Sequence, residues 1–295
     1  MSYDYKCFVN ETEKLLEEFP FLEREIIGKS VMKKPIYCIR AGCGERKLFI
    51  NGAHHGLEYL TSAFIMRFLR DFSDAIEKNT DFFGYDAKEI AENVSLYAVP
   101  MVNPDGVDIA INGLDITNPY HQKLISSVGI HSFNRVWQAN ARGVDINHNY
   151  NASWRVVKAK PCESKYSGPY SESEPETKAM VDFVRKMDFD ILIAFHSQGK
   201  EIYYDFDGIV AENSRKLAEE MAKVSGYAVC TPTGSAAFGG CKDWFIKEFG
   251  KAGFTVEIGS GKNPLPMEML DEIYDENVLI VLKAMEELYE KVPSK

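Results

Sequence analysis

Six histidines occur in the 295 residues, at His54, His55, His121, His131, His148 and His196. Two of them stand where a chain can bring a metal ligand to a sheet edge. His55 and Glu58 form His-x-x-Glu just after the strand-like run Lys47–Asn51, where the pattern turns helical. His196 ends the most apolar run of the chain, Phe189–Phe195, and Ser197, Gln198 and Gly199 follow it. Open α/β sheets gather their ligands outside strand ends. Two imidazoles and one carboxylate are the donor set of a catalytic zinc that keeps a fourth position for water. Spacing alone leaves a plainer reading standing, with His55 a turn histidine and His196 a strand-end histidine bonded to backbone.

Other residues carry weaker signals of the same kind. Glu257 sits in the apolar run Thr255-Val256-Glu257-Ile258, where a merely solvated acid is out of place if the strand is central. Arg142, taken by itself, reads as a loop arginine. Asp145 and Asn147 are of the types that favour turns. Ser173 with Glu176 three positions on reads as a capping box at the start of a helix.

The elements that must position these residues are legible as periodicity. Ile36–Arg40, Lys47–Asn51, Ser95–Val99, Phe189–Phe195 and Phe254–Ile258 read as strands. Leu60, Phe64, Phe68 and Phe72 recur at four-residue steps and predict a helix packed on the sheet. Helices are also expected over Glu174–Lys186, Ala211–Ser225, Asp243–Phe249 and the tail beyond Leu270. From Asn103 to Ser171 helical periodicity is poor, and an irregular stretch of that length in a compact domain is usually functional. Alternating strands and helices predict one α/β domain over residues 1–295, a mixed parallel and antiparallel twisted sheet with helices on both faces. Residues 1–30 are expected to form an N-terminal helical extension and 31–295 the core.

Net charge is −10, with acids spread along helical stretches. Nucleic-acid binding wants clustered Lys and Arg, so that class is excluded as the main partner. No apolar run approaches the roughly 20 residues of a membrane helix, and no leader of the secretory type is visible. The six cysteines are scattered with no CxxC pair, which reads as free thiols in a reducing cytoplasm. Oligomeric state is not legible.

One set of motifs, in order, goes further: His-x-x-Glu at His55, NARGVDINHNY (Asn140–Tyr150), SEPET (Ser173–Thr177), His196, Asp243-Trp244 and FTVEIG (Phe254–Gly259). It resembles the carboxypeptidase A superfamily of zinc peptidases from about Lys29 to Gly259. The resemblance implies a carboxypeptidase-like fold and one zinc ion per chain, held by His55, Glu58 and His196. It implies Glu257 as the general base, Arg142 as the group steadying the oxyanion, and Asp145 as the partner of the outer nitrogen of His55. Asn147 and His148 would lie where the family grips the substrate carboxylate. The chemistry is coherent, since metal-bound water ionises near pH 7, a carboxylate moves its proton, and a fixed cation stabilises the developing charge.

Two departures bear on substrate. His148 stands where digestive relatives carry arginine, and imidazole is a weaker clamp charged only at lower pH. The family's flexible-loop tyrosine is replaced by Ser235, with Tyr203 or Tyr204 as possible stand-ins. Together with GGCKDWFI (Gly239–Ile246) and MVNPDGVD (Met101–Asp108), these features look closer to the bacterial branch of γ-D-glutamyl-meso-diaminopimelate peptidases. The expected substrate is then a small peptide or muropeptide, and Lys242 is expected either to meet a substrate carboxylate or to face solvent at a helix start. The alternatives are a general metallocarboxypeptidase, an N-acyl amino acid amidohydrolase, or a non-catalytic peptide-binding relative.

Overall fold

A computed structural model describes residues 3–128, 137–231 and 238–290. The chain opens with α1 (Tyr5–Glu18), β1 (Glu23–Lys29), β2 (Pro35–Ala41), β3 (Arg46–Asn51) and α2 (Leu60–Lys78). A two-strand hairpin, β4 (Asp81–Phe82) and β5 (Tyr85–Asp86), leads to α3 (Ala87–Asn93), β6 (Val94–Val99), α4 (Pro104–Asn112) and α5 (Pro119–Val128). Then come α6 (Pro175–Met187), β7 (Ile191–His196), β8 (Glu201–Tyr203), α7 (Ser214–Ser225) and β9 (Ala228–Cys230). The last elements are α8 (Cys241–Phe249), β10 (Ala252–Glu257) and α9 (Leu270–Tyr289).

Eight strands form one mixed sheet in the order β1-β2-β6-β3-β7-β10-β8-β9. The central four, β6, β3, β7 and β10, run parallel, while β2 and β8 join antiparallel on either side. Strand residues alternate between two cores. Leu48, Ile50, Ile193 and Val256 pack with α2 and α9, whereas Phe49, Leu192 and Ala194 pack with α6 and α8. Helices thus cover both faces, so the central strands are apolar nearly throughout. The stripe predicted for α2 is real, with Phe64, Phe68 and Phe72 fully buried.

Several expectations are corrected. Helix in the first 30 residues is confined to α1, because Glu23–Lys29 is an edge strand paired antiparallel with β2. Its residues are largely exposed, so it lacks the apolar alternation that marks a half-buried strand. The span expected to be irregular holds α4 and α5. Asn103 caps α4 by accepting from Gly106 N–H, and Asp105 is buried, so polar residues mask the helical stripe. The capping box is absent. Glu174 is the N-cap of α6 and makes no side-chain cap bond, while the Ser173 hydroxyl donates to the Glu174 carboxylate and accepts from Asn149.

Candidate metal centre and substrate cleft

The C-terminal ends of β3, β7 and β10 lie side by side, which is where a parallel sheet leaves strand-end backbone open to a ligand. The chain leaving β3 is held by Gly52 N–H to Val99 O at 3.1 Å and Asn103 N–H to Ala53 O at 3.0 Å. Thr61 Oγ1 accepts from Ala53 N–H and donates to Glu58 O, tying the loop to the first turn of α2. Gly56, between the two ligand candidates, packs so tightly that a Cβ there would lie 2.3 Å from Gly106 O. Only glycine lets this backbone reach that position. His196 ends β7, and Glu257 is its register partner on β10.

These connections bring His55, Glu58 and His196 together, with one donor atom from each all within 4.8 Å of one another. Glu58 spans the pair, with one carboxylate oxygen 2.9 Å from His55 Nδ1 and the other 3.0 Å from His196 Nδ1. The outer nitrogen of His55 donates to Asp145 at 3.1 Å, so the tautomer that leaves Nδ1 for a metal is held in place. Asp145 is itself fixed by Lys165 N–H. Two imidazole nitrogens and a carboxylate gathered this closely are a donor set that fits a zinc ion. One feature does not add to that fit: Nε2 of His196 is buried with no hydrogen-bond partner among the described residues.

Burial and mutual charge set the ionisation here. Burial disfavours the charged form of His55, yet Glu58 and Asp145 together outweigh it and hold the imidazole above its ordinary range. Burial would raise Glu58, but His55 and His196 pull it down to about 2. Asp145 is likewise held well below the usual carboxylate range, burial being overcome by His55 and His148. Glu257 goes the other way, because burial first and the Glu58 charge second push it up to about 8. The acid that would hold a cation, Glu58, and the acid behind His55, Asp145, are therefore ionised, while Glu257 favours its protonated form until a cation offsets Glu58.

A cleft of about 170 Å³ opens over this group, lined by His55, Tyr203, Thr255 and Glu257. Asn147, His148, Gly240, Lys242 and Asp243 also line it, as does Lys165. Asn147 Oδ1 accepts from Cys241 N–H at 3.0 Å, leaving its NH2 group as the donor. His148 Nδ1 lies 2.9 Å from Phe238 O; a carbonyl only accepts, so that nitrogen carries the proton. Nε2 is then the one ring nitrogen of His148 left for a ligand.

Lys242 does not face solvent. It is 4% exposed at the start of α8, donates to Asp205 O at 2.5 Å, and lies 2.6 Å from Asp243. Arg142 is the residue the structure leaves outside the cleft. Its side chain is 54% exposed and approaches Glu174 at 3.6 Å. The cause is the turn Asn140–Val144, where Asn140 Oδ1 accepts from Arg142 and Val144 N–H, while its NH2 is anchored on Glu174 and Glu176. Ser235 lies outside the described residues. Of the two tyrosines offered in its place, Tyr203 lines the cleft and Tyr204 packs against the core. Sequence reasoning passed over Lys165 and Thr255, and gave Asp243 no role of its own. Thr255 was accessible in principle, being two positions before Glu257 on one strand face.

Comparisons with known proteins agree with this geometry. A family model described as zinc carboxypeptidase matches residues 9–280. Gamma-D-glutamyl-L-diamino acid endopeptidase 1 of Lysinibacillus sphaericus is 37% identical over 290 residues, covering 96% of this chain and 72% of that protein. Among solved structures, bovine thrombin-activatable fibrinolysis inhibitor in complex with tick carboxypeptidase inhibitor superposes with a TM-score of 0.80 at 22% identity, covering 99% of both chains. Murein-tripeptide amidase MpaA from Escherichia coli O157 gives a TM-score of 0.56 at 20% identity, covering 92% of this chain and 93% of that one.

Proposed function

The chain belongs to the zinc carboxypeptidase family of metallopeptidases, and from that membership we propose that it hydrolyses the amide bond between γ-D-glutamate and a diamino acid in peptidoglycan stem peptides. The observation that carries the finer reading is His148 in the cleft wall, tied to Phe238 O. With Nδ1–H committed to Phe238 O, a single ring nitrogen is left to meet substrate, where an arginine would offer a carboxylate two parallel bonds. A cleft built this way suits a substrate that extends past the scissile bond. The 37% identity to a named γ-D-glutamyl-diamino acid endopeptidase supports the same choice.

His55, Glu58 and His196 would hold the zinc. When bound, it supplies a Lewis acid that brings water's ionisation near neutral pH. Glu257, on the next strand, takes a proton from the attacking water and delivers it to the departing amine nitrogen. Asp145 keeps the outer N–H of His55 and so keeps the ring aimed. Asn147 presents its NH2 group to a substrate oxygen. Arg142, turned toward Glu174, takes no part.

Among the described residues, no helix is long and apolar enough to cross a membrane. All six cysteines are free, which supports placing the enzyme in a reducing compartment, acting on muropeptides there.

The test is a digest of defined stem peptides read by mass spectrometry, with and without chelator. Chelator-sensitive release at the γ-D-glutamyl bond is expected. Trimming of ordinary peptides from their free carboxyl end, with stem peptides untouched, would place the chain with general carboxypeptidases. Cleavage of N-acyl amino acids alone would make it an amidohydrolase.

A further inference from the structure

We infer that Tyr227 is a positioning residue for Glu257, its phenol oxygen holding the backbone just beyond that carboxylate. This deepens the proposed peptidase reading and rests on the proton transfer given to Glu257 there. Tyr227 lies between α7 and β9, is 5% exposed, and belongs to the core rather than to the cleft lining.

The phenol oxygen is used in both of its capacities, as donor and as acceptor. It accepts from Gly259 N–H at 3.0 Å and from the Asn277 NH2 group at 2.7 Å, and it donates to the Glu276 carboxylate at 2.9 Å. Asn277 is fully buried, and its NH2 group donates to Ile273 O as well, so it is itself fixed on α9. The hydroxyl thus joins the end of β10 to the middle of α9.

That junction matters because the sheet stops at Glu257. Its register partner on β8 is Glu201, and beyond it the chain turns at Gly259 with φ +69°. A Cβ at Gly259 would lie 2.7 Å from Ile273 Cδ1, so the turn presses against α9. Three further bonds hold this stretch: Ile258 N–H to His196 O at 2.8 Å, Lys200 N–H to Glu257 O at 2.8 Å, and Gly199 N–H to Gly259 O at 3.0 Å. All three come from residues 196–200, whereas the phenol anchors the stretch to α9. Glu276 closes the frame, since it also pairs with Lys200 Nζ. Without the phenol, Gly259 N–H would be buried with no acceptor, and the backbone would shift to find one. Glu257 stands two residues before Gly259, and a displacement of about 1 Å in a reacting group can cost roughly 100-fold in rate.

The test uses the full-length, zinc-loaded protein and a γ-D-glutamyl-diaminopimelate peptide. Tyr227→Phe removes one oxygen and keeps the ring in its packing. It should lower kcat by roughly tenfold or more while KM and zinc content stay unchanged. In a Glu257→Gln background the same substitution should cost nothing further, because a residue that acts through Glu257 has nothing left to position. Amide exchange over residues 255–261, read by mass spectrometry, should be slow in the wild type and about tenfold faster in Tyr227→Phe. Fast exchange there in the wild type overturns the inference without any variant that has to fold. An unchanged kcat in folded Tyr227→Phe overturns it and leaves the peptidase reading intact. So does a loss that adds in full to that of Glu257→Gln, or one that tracks lost zinc, since the phenol would then act by another route. A wild type that leaves the peptide uncut removes the peptidase reading, and the inference goes with it.

Discussion

His196 and Glu257 are register partners at the ends of adjacent parallel strands, so their side chains leave the same face of the sheet at the same level. That pairing sets a metal-ligand candidate beside a carboxylate with no loop intervening. Backbone pairing of two central strands is about the most rigid support a fold offers, and catalytic groups gain from such support.

Glu257→Gln should therefore remove proton transfer without disturbing the metal group. Steady-state kinetics should show kcat falling by about 100- to 10,000-fold, the range for losing a positioned general base. Zinc content, measured by atomic spectroscopy, should stay near one per chain. A variant that retains wild-type kcat would remove Glu257 from the reaction.

Asp145 controls His55 from behind, and the loss should appear in affinity before it appears in fold. Asp145→Asn should weaken zinc binding by roughly 10- to 100-fold, read by competition with a chelator of known affinity. Stripping the metal from wild type should lower the melting temperature, since a ligand bound only to the native state stabilises it by mass action. Equal zinc affinity in the two proteins would mean that the Asp145–His55 bond does no positioning.

His148→Arg is expected to move activity toward peptides with a free terminal carboxylate. A guanidinium is charged at all working pH and can pair with a carboxylate in two places. The ratio of terminal trimming to internal cleavage, followed by chromatography, should rise by roughly tenfold or more, as one charge-assisted bond of 1.5–3 kcal/mol allows. An unchanged ratio would show that this position does not govern where the cleft stops reading the chain.

Glu176 supplies a pH dependence outside the metal group. Burial is the main cause that pushes it up to about 7, against the bonds it accepts from Val31 N–H and Asn140. The native state then binds more protons than the unfolded chain between about pH 4.5 and 7, so stability is full below that window and falls as pH rises through it. The fall is on the order of 3 kcal/mol for a shift of this size. Urea titrations at pH 5 and pH 8 should show that decline, and Glu176→Gln should flatten it. A wild-type protein equally stable at both pH values would contradict the burial argument.

The linear sequence by itself determined the central strands, the helix from Leu60, and the identity of His55, Glu58 and His196 as residues that could meet. These were legible because burial on both faces of a parallel strand leaves a continuous apolar run, and because ligands follow strand ends. Edge strand β1 and helix α4 were not legible, one having little to bury and the other burying polar residues. Only the tertiary structure decided which way polar side chains point. Arg142 is turned outward because Asn140 is anchored on Glu174 and Glu176, 34 and 36 residues further along the chain. Lys242 is buried because the carbonyl of Asp205, 37 residues upstream, meets its ammonium. Hydrophobic period is a local property that neighbours in the chain report, whereas the partner of a buried charge comes from a distant segment that no local pattern announces.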